Sequence, residues 1–479
     1  MSLFLSILGQ SRMRLAQVGL ALAGVAVIAG CGSSYRPVIT PINPSGPPAQ
    51  PNGYAVVVSS PSSTAAGVAT VIDYSGDTLM VQAAIGPNPF AFSLDSTGTN
   101  GYTVNSDGTL TNFQVSQAQP QEKDIHYSTL PPGTQTVGLF SPSTGLWVSD
   151  LNQNVIDVLA PATAAQSFKL AIPVAQTPIA VVGLGTIGQH VYSISQNVPF
   201  STACNTAPAS VGANGEADAL EASSYTVSAR IPLGKCPVYG VSSIDGKRLF
   251  VLNRGSDNIT VINSQNNALN QCAPFINQNG QQVTCHPSIA LPAGAGPVYA
   301  EYIATTQQLI VANYDGGTVS LIDVSLDQYG NDGPTFGTTF TIPAGHNPAS
   351  VTALSDGSRA YTADQTDGTV HVLNLSSHTV EKVLQVSGHP RTVVSNSNSL
   401  YGKVYVASPD STFLTILRTD QDIVDTVVLI QGNIIDVRTT NQNGTRGNAN
   451  IYSRIPGGGQ PCYVPGTEGS LQACQTIHF

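Results

Sequence analysis

Charge is scarce in this chain. Asp, Glu, Lys and Arg make up only 10% of 479 residues, and the basic groups are the minority, 18 against 28 acidic ones. A formal charge of −10 leaves no basic face for phosphates, which excludes nucleic acid as a partner. Helical periodicity is missing over any stretch long enough to challenge an all-β reading. No Cys-x-x-Cys pair occurs, which argues against a zinc ribbon or a thioredoxin-like redox site. His-Glu-x-x-His, Gly-x-Ser-x-Gly, Gly-x-x-x-x-Gly-Lys and Cys-x-x-Cys-His are absent too. With them go the motif-based readings as metalloprotease, serine hydrolase, P-loop protein and haem carrier, so neither a cofactor nor a metal is expected.

Turn formers and β-branched residues are plentiful instead: Gly 46, Pro 32, and Val, Ile and Thr crowded into short runs. Eight times a unit of roughly 42 to 60 residues returns. Its turns begin at Gly86-Pro87-Asn88-Pro89, Gly133-Thr134-Gln135, Gln176-Thr177-Pro178, Gly234-Lys235-Cys236-Pro237, Gly294-Ala295-Gly296-Pro297, Gly345-His346-Asn347-Pro348, Gly388-His389-Pro390 and Gly432-Asn433-Ile434. An apolar run follows, such as Leu249 to Asn253, Leu309 to Asn313, Ala360 to Asp364 or Val404 to Ser408, and then a second, such as Val71-Ile72-Asp73, Val155-Ile156-Asp157 or Leu321-Ile322-Asp323. Four strands at this period spell a blade that cannot bury both faces alone, so the chain is an all-β propeller. The repeat count gives eight blades, with seven as the alternative.

With the strands of a blade named a to d outward from the axis, the Gly turn opens strand a and the Tyr/Phe/Val run is b. The Val-Ile-Asp run is c, and a Thr/Val-rich run such as Tyr225 to Leu233 is d. Asp or Asn at the end of c is read as turn chemistry, its side chain bonding the following backbone. The first unit starts at strand b (Tyr54 to Ser60) and the last ends after strand a (Ile434 to Thr439). One composite blade should therefore close the ring and leave no open sheet edge.

Residues 1–30 read as an export signal. Arg12 and Arg14 precede an apolar stretch from Leu15 to Ile28, too short for an ordinary spanning helix, and small residues lead to Cys31. Ile28-Ala29-Gly30-Cys31 resembles the bacterial lipobox, which implies diacylglycerol on the Cys31 thiol and a lipid anchor in the membrane of the cell envelope, periplasmic or at the cell surface. Residues 31–53, rich in Ser, Pro and Gly, read as a flexible tether, 54–439 as the propeller and 440–479 as a C-terminal tail. Loss of Arg12 and Arg14 with the signal takes the formal charge from −10 to −12. Six cysteines remain, and disulfides suit an exported chain. Short loops favour Cys272 with Cys285 and Cys462 with Cys474, which leaves Cys204 for Cys236.

The repeats resemble the YVTN-type β-propeller repeats of bacterial and archaeal surface proteins, whose pattern runs from a Gly-x-x-Pro turn through a Tyr-Val-Thr-Asn-like strand to Val-Ile-Asp. The likeness covers about residues 54–439. It departs at Gln176-Thr177-Pro178, which lacks the leading Gly, after Gly133 and Gly432, which lack the proline, and at Pro390, displaced by one. Members of that family are commonly seven-bladed.

The b-to-c and d-to-a turns should share one face. They carry Lys235, Arg254, Asp257, Tyr314, Asp315, His346, Asp364, Asp367, His389 and Asp410, with an insertion from about Val198 to Gly215. A second insertion, about Ser264 to His286, is expected to join c to d on the opposite face. Convergent carboxylates would suit a cation or a basic partner. His346 and His389 occupy equivalent turns, where two imidazoles could approach one metal or substrate. The expected role is a membrane-anchored binding or scaffolding module for a protein, glycan or small molecule. The alternative is an exported hydrolase resembling lactonase-like propellers, with acid and histidine groups at the central mouth.

Overall fold

The short β-branched runs form strands whose two sides are both buried, so they read as continuous apolar segments rather than alternating ones. Tyr54–Ser60 is buried along its whole length. Val56 and Val58 pack toward one neighbouring blade, while Ala55 and Val57 pack toward the other. The computed structural model describes residues 53–440 except 75, 96–97, 116–124, 135, 137, 141–144, 161–167, 185–189, 200–212, 278–279, 281 and 397–401. It also describes two short paired strands, Pro461–Cys462 and Gln472–Ala473. Cys31, Cys204, Cys474, the signal and the tether lie outside the described residues.

Eight four-stranded antiparallel blades stand in a ring, as the repeat count indicates. Blade 1 is composite: Tyr54–Ser60, Ala66–Asp73 and Leu79–Pro87 are its strands b, c and d, and Asn433–Thr439 from the other end of the propeller is its strand a. The closing pair runs from Ala55 opposite Thr439 to Ser60 opposite Asn433, and Thr440 exchanges two further bonds with Tyr54. Blades 2 to 8 open with Pro89–Leu94, Leu139–Phe140, Pro178–Gly183, Pro237–Ser242, Pro297–Ile303, Pro348–Ala353 and Thr392–Ser395. Apolar clusters fill the interfaces between neighbouring blades all the way round, including the one between blades 8 and 1.

The turn proline acts in the same way in blades 2, 4, 5, 6 and 7. It sits opposite the last residue of strand b, and the register slips by one immediately after it. Proline has no N–H to give the ladder, and a bulge is where a strand tolerates it. A second device recurs beside it. The asparagine that ends strand b in blades 2, 5 and 6 reaches across the b–c turn to a hydroxyl on the third residue of strand c. Asn105 Nδ2 donates to Thr111 Oγ1 at 2.9 Å, Asn253 Nδ2 to Thr260 Oγ1 at 2.8 Å, and Asn313 Nδ2 to Ser320 Oγ at 2.8 Å. All six groups are buried. The d–a glycine lies over this rung: a Cβ on Gly86 would fall 2.0 Å from Asn105 Nδ2, and one on Gly234 2.8 Å from Asn253 Cγ.

Turn chemistry at the end of strand c holds at Asp73, Asn263, Asp323 and Asn374, whose side-chain oxygens accept N–H groups of the next turn. It fails at Asp157. Strand c of blade 3 is Val155–Leu159, so Asp157 is its buried third residue and not its end. The insertion in blade 5 also differs from expectation. It does not simply join c to d but interrupts d, whose pieces Ala268–Leu269 and Ser288–Ala290 pair with opposite ends of the same strand, Asn258–Asn263. An outermost strand can be broken because only one of its edges carries a ladder. The Cys272–Cys285 disulfide closes the insertion, with Cα atoms 5.4 Å apart. Asn270 and His286 anchor it to buried Asp332, which Arg248 also pairs, so it leaves the blades on the face of the c–d connections.

Asn313→Ala should destabilise the protein by about 1–3 kcal/mol in urea unfolding, because it removes a buried donor from two oxygens, Thr318 Oγ1 and Ser320 Oγ. An unchanged midpoint would deny the rung a structural role.

Candidate functional site

The expected face exists, because antiparallel strand order puts every b–c and d–a turn at one end of the blades. Its charged groups are largely engaged with one another. Arg254, in the b–c turn of blade 5, grips Asp315 of blade 6 through two bonds, Nε to Oδ2 at 2.9 Å and Nη2 to Oδ1 at 2.7 Å, and its guanidinium lies 5.5 Å from the Tyr314 ring centre. Asp257 is used by the next turn, accepting from Gly294 N at 2.7 Å and Gly296 N at 2.8 Å. Cys236 is fully buried and disulfide-bonded.

His346 and His389 each take an aspartate of the blade they lead into. His389 Nδ1 meets Asp410 Oδ2 at 2.6 Å while its backbone N–H donates to Oδ1 at 2.8 Å. His346 Nδ1 meets both oxygens of Asp367, at 2.7 and 2.8 Å. That hydrogen bond, with the carboxylate charge behind it, raises the His346 pKa. Asp364 is completely buried and accepts backbone N–H groups from two turns, His346 on one side and Thr366 and Asp367 on the other. Among the described residues, His346, Asp364 and Asp367 form a group whose ligand atoms lie within 4.8 Å of one another, and His389 is not part of it. The two imidazoles thus serve separate corners, and Asp364 is a turn clamp before it is a surface carboxylate.

Two sets of buried charges were not visible to sequence reasoning. On the innermost strands, Arg438 of blade 1 is paired with Asp436 at 3.0 Å, close to Tyr239 and Tyr299 of blades 5 and 6, whose rings lie 4.9 Å apart. Burial works against the Arg438 charge, but the Asp436 carboxylate together with Tyr299 and Tyr239 more than offsets it, so the guanidinium pKa rises. Glu301, also buried, accepts Ala353 N of blade 7 at 3.1 Å. An acid inside a run such as Ile435-Asp436-Val437 carries no pattern that announces the axis.

The second set is in blade 3, where Asp150 and Asp157 replace the Asn–hydroxyl rung. Burial, with the Asp150 charge beside it, pushes Asp157 up to about 6, and a 3.3 Å bond from Thr134 Oγ1 offsets part of that. The folded protein therefore holds a proton that the unfolded chain releases near pH ~4. The stability this supplies is complete below about pH 4 and is lost as pH rises through about 6. Asp157→Asn should thus gain on the order of 1–3 kcal/mol over the wild type at pH 8 and nothing at pH 4, in urea unfolding at both. An equal gain at both pH values would contradict the charge argument.

Solved structures share the fold at low identity. AztD of Citrobacter koseri is 12% identical, with 81% of this chain and 97% of that one covered and a TM-score of 0.55. A Bacteroides fragilis protein with a provisional 6-phosphogluconolactonase assignment is 14% identical, covering 82% and 99%, with a TM-score of 0.50. The dihydro-heme d1 dehydrogenase NirN, solved in complex with DHE, is 13% identical, covering 83% and 77%, with a TM-score of 0.53. These likenesses establish the propeller and nothing finer. No family model matches the chain, and no curated protein matches it significantly.

Proposed function

We propose that the chain is an exported, lipid-anchored β-propeller of the bacterial cell envelope whose b–c/d–a face is a binding surface. One observation carries the binding role. Blades 2 and 5 pack the d–a glycine against a neutral asparagine, Asn105 or Asn253, so the corner does not require the acid and histidine groups that blades 7 and 8 place there. Groups set on a rigid ring beyond what the ring needs are the usual carriers of recognition. The resemblance to YVTN-type repeats of surface proteins, the lipobox-like Ile28-Ala29-Gly30-Cys31 and the Pro-rich tether support the location. The lactonase-like alternative gains nothing from the geometry: among the described residues the innermost strands hold no histidine, and His346 and His389 are each tied to an aspartate.

Two experiments test this reading. Wild-type chain should carry lipid on Cys31 and partition into detergent, whereas Cys31→Ser should remain an unlipidated precursor. Recovery of an unmodified wild type cut elsewhere would refute the anchor. Against envelope extracts and glycan arrays, a His346→Ala, Asp367→Asn, His389→Ala variant should lose the wild-type ligand while unfolding at nearly the same temperature. Loss only on removal of residues 271–285 would move the surface to the opposite face. Sugar-lactone hydrolysis by the wild type that the variant lacks would replace the binding module with an enzyme.

A further inference from the structure

The insertion that interrupts strand d of blade 5 is not needed to build a blade, since the other seven stand without it. Inside the Cys272–Cys285 loop, Phe275–Ile276 pairs with Gln282–Val283 as a two-stranded hairpin. Two such short strands have no core of their own, and Phe275 is left 42% and Ile276 65% exposed. Asn277, next in the chain, bonds Asp327 in the c–d connection of blade 6, which also carries exposed Tyr329. Gly330 O then accepts Arg248 Nη2 at 3.0 Å, and this ties the connection to the a–b turn of blade 5 and its exposed Ile244. Apolar residues scattered singly over a surface are ordinary, but gathered at one corner they mark an interaction site. On the opposite face the exposed large apolar side chains among the described residues are Phe413 and Leu429, at the ends of two strands of blade 8. The chain enters the propeller on the face of the apolar corner. Strand b of blade 1 starts there at Tyr54, bonded to Thr440, and Gly53 O accepts Tyr74 N from the c–d turn. Blade 5 stands four places from blade 1 in the ring of eight, so the corner and the point of entry lie on opposite sides of the axis.

We propose that the a–b/c–d face lies on a lipid bilayer, with the Phe275–Ile276 hairpin of blade 5 dipping into the boundary between headgroups and acyl chains. This orientation rests on the reading of Cys31 as a lipid anchor and adds what an anchor alone leaves open. The residues from Cys31 to the propeller, read from their composition as a coil, give a root-mean-square span of about 25 Å. A bilayer that holds Cys31 is therefore within reach of the face from which the chain departs. One tether leaves the ring able to tip about its point of attachment. A second contact across the axis removes that freedom. Phe and Ile suit the acyl boundary, and a tyrosine beside them suits the headgroup level. Charge does not supply the contact: Lys247 is paired with Asp245 at 3.5 Å, and Asp327 adds another acid, so burial of apolar side chains holds the corner to lipid and anionic headgroups are not required. In this orientation the b–c/d–a face points away from the bilayer, open to its ligand.

The chain has one tryptophan, Trp147, which is 1% exposed, so a second one placed on the surface reports its own surroundings. The test reconstitutes the full chain on phosphatidylcholine vesicles with brominated acyl chains and compares its emission with that on unbrominated vesicles. Wild type should be unquenched. Ile276→Trp should lose roughly half of the added emission, as expected of a ring seated ~5–10 Å into the headgroup–acyl boundary. Phe413→Trp, at the other end of the blades, should lose none, and adding phosphatidylglycerol should change neither result. Phe275→Trp gives the same reading should Ile276→Trp fail to fold. Chain that floats with the vesicles while both hairpin variants stay unquenched would overturn the proposal and leave the anchor standing. Equal quenching of Phe413→Trp, or quenching confined to vesicles with phosphatidylglycerol, would overturn it as well. So would Ile276→Trp emission shielded without vesicles together with a doubled mass in sedimentation, which would make the corner a contact between copies. Failure of the anchor is seen separately, as the absence of an acyl group on Cys31 by mass spectrometry. The orientation then survives only if the unacylated chain still floats and Phe275→Ser with Ile276→Ser releases it.

Discussion

A side chain at the end of strand b occupies the place where the glycine of the preceding d–a turn would carry a Cβ, and much of the repeat follows from that contact. In blades 2 and 5 the side chain is Asn105 or Asn253, and in blade 7 it is Asp364; in blades 6 and 8 the aspartate two places on, Asp315 or Asp410, does the same. The turn must carry glycine, the side chain must be short and polar, and the backbone on both sides is locked to it. Next to it the proline opens strand a on a bulge, where its missing N–H costs no ladder bond. The Gly-x-x-Pro turn and the Asn that ends strand b are therefore two halves of one interaction, separated by about 19 residues in sequence and by van der Waals contact in space.

With that corner fixed, the rest of each blade is free to be apolar. Strands buried on both sides pack against two neighbours, and the ring is held by clusters at every interface. No covalent bond closes the circle among the described residues; the strand Asn433–Thr439 does so by pairing with Tyr54–Ser60. A repeat array whose end blades lay exposed would present open edges, and the composite blade removes them.

Architecture was legible in the sequence because it is periodic. The eight turns, seven of them led by Gly, the strand letters a to d and the composite blade could all be placed from the runs themselves. Where period and chemistry part company, the reading failed: Val155-Ile156-Asp157 matches Val-Ile-Asp in letters but begins strand c instead of ending it, which buries the acid. The interruption of strand d in blade 5 was hidden because Ala268-Leu269 is too short to register as a strand. Turn positions put the b–c and d–a turns on one face but did not give the partners of the charged groups there. Pairings such as Arg254 with Asp315 run between blades.

The contact between the d–a glycine and the end of strand b is open to a direct measurement at Gly86 and Asn105. Gly86 does not need a left-handed backbone, so alanine there is opposed only by Asn105, whose side chain supplies all three nearest atoms, 2.0 to 3.0 Å from the new Cβ. A double-mutant cycle in urea should find Gly86→Ala costly in the wild type, by about 2 kcal/mol or more, and close to neutral in an Asn105→Gly background. Equal costs in the two backgrounds would mean that the glycine serves the turn for some other reason, and that the two halves of the repeat are not one interaction.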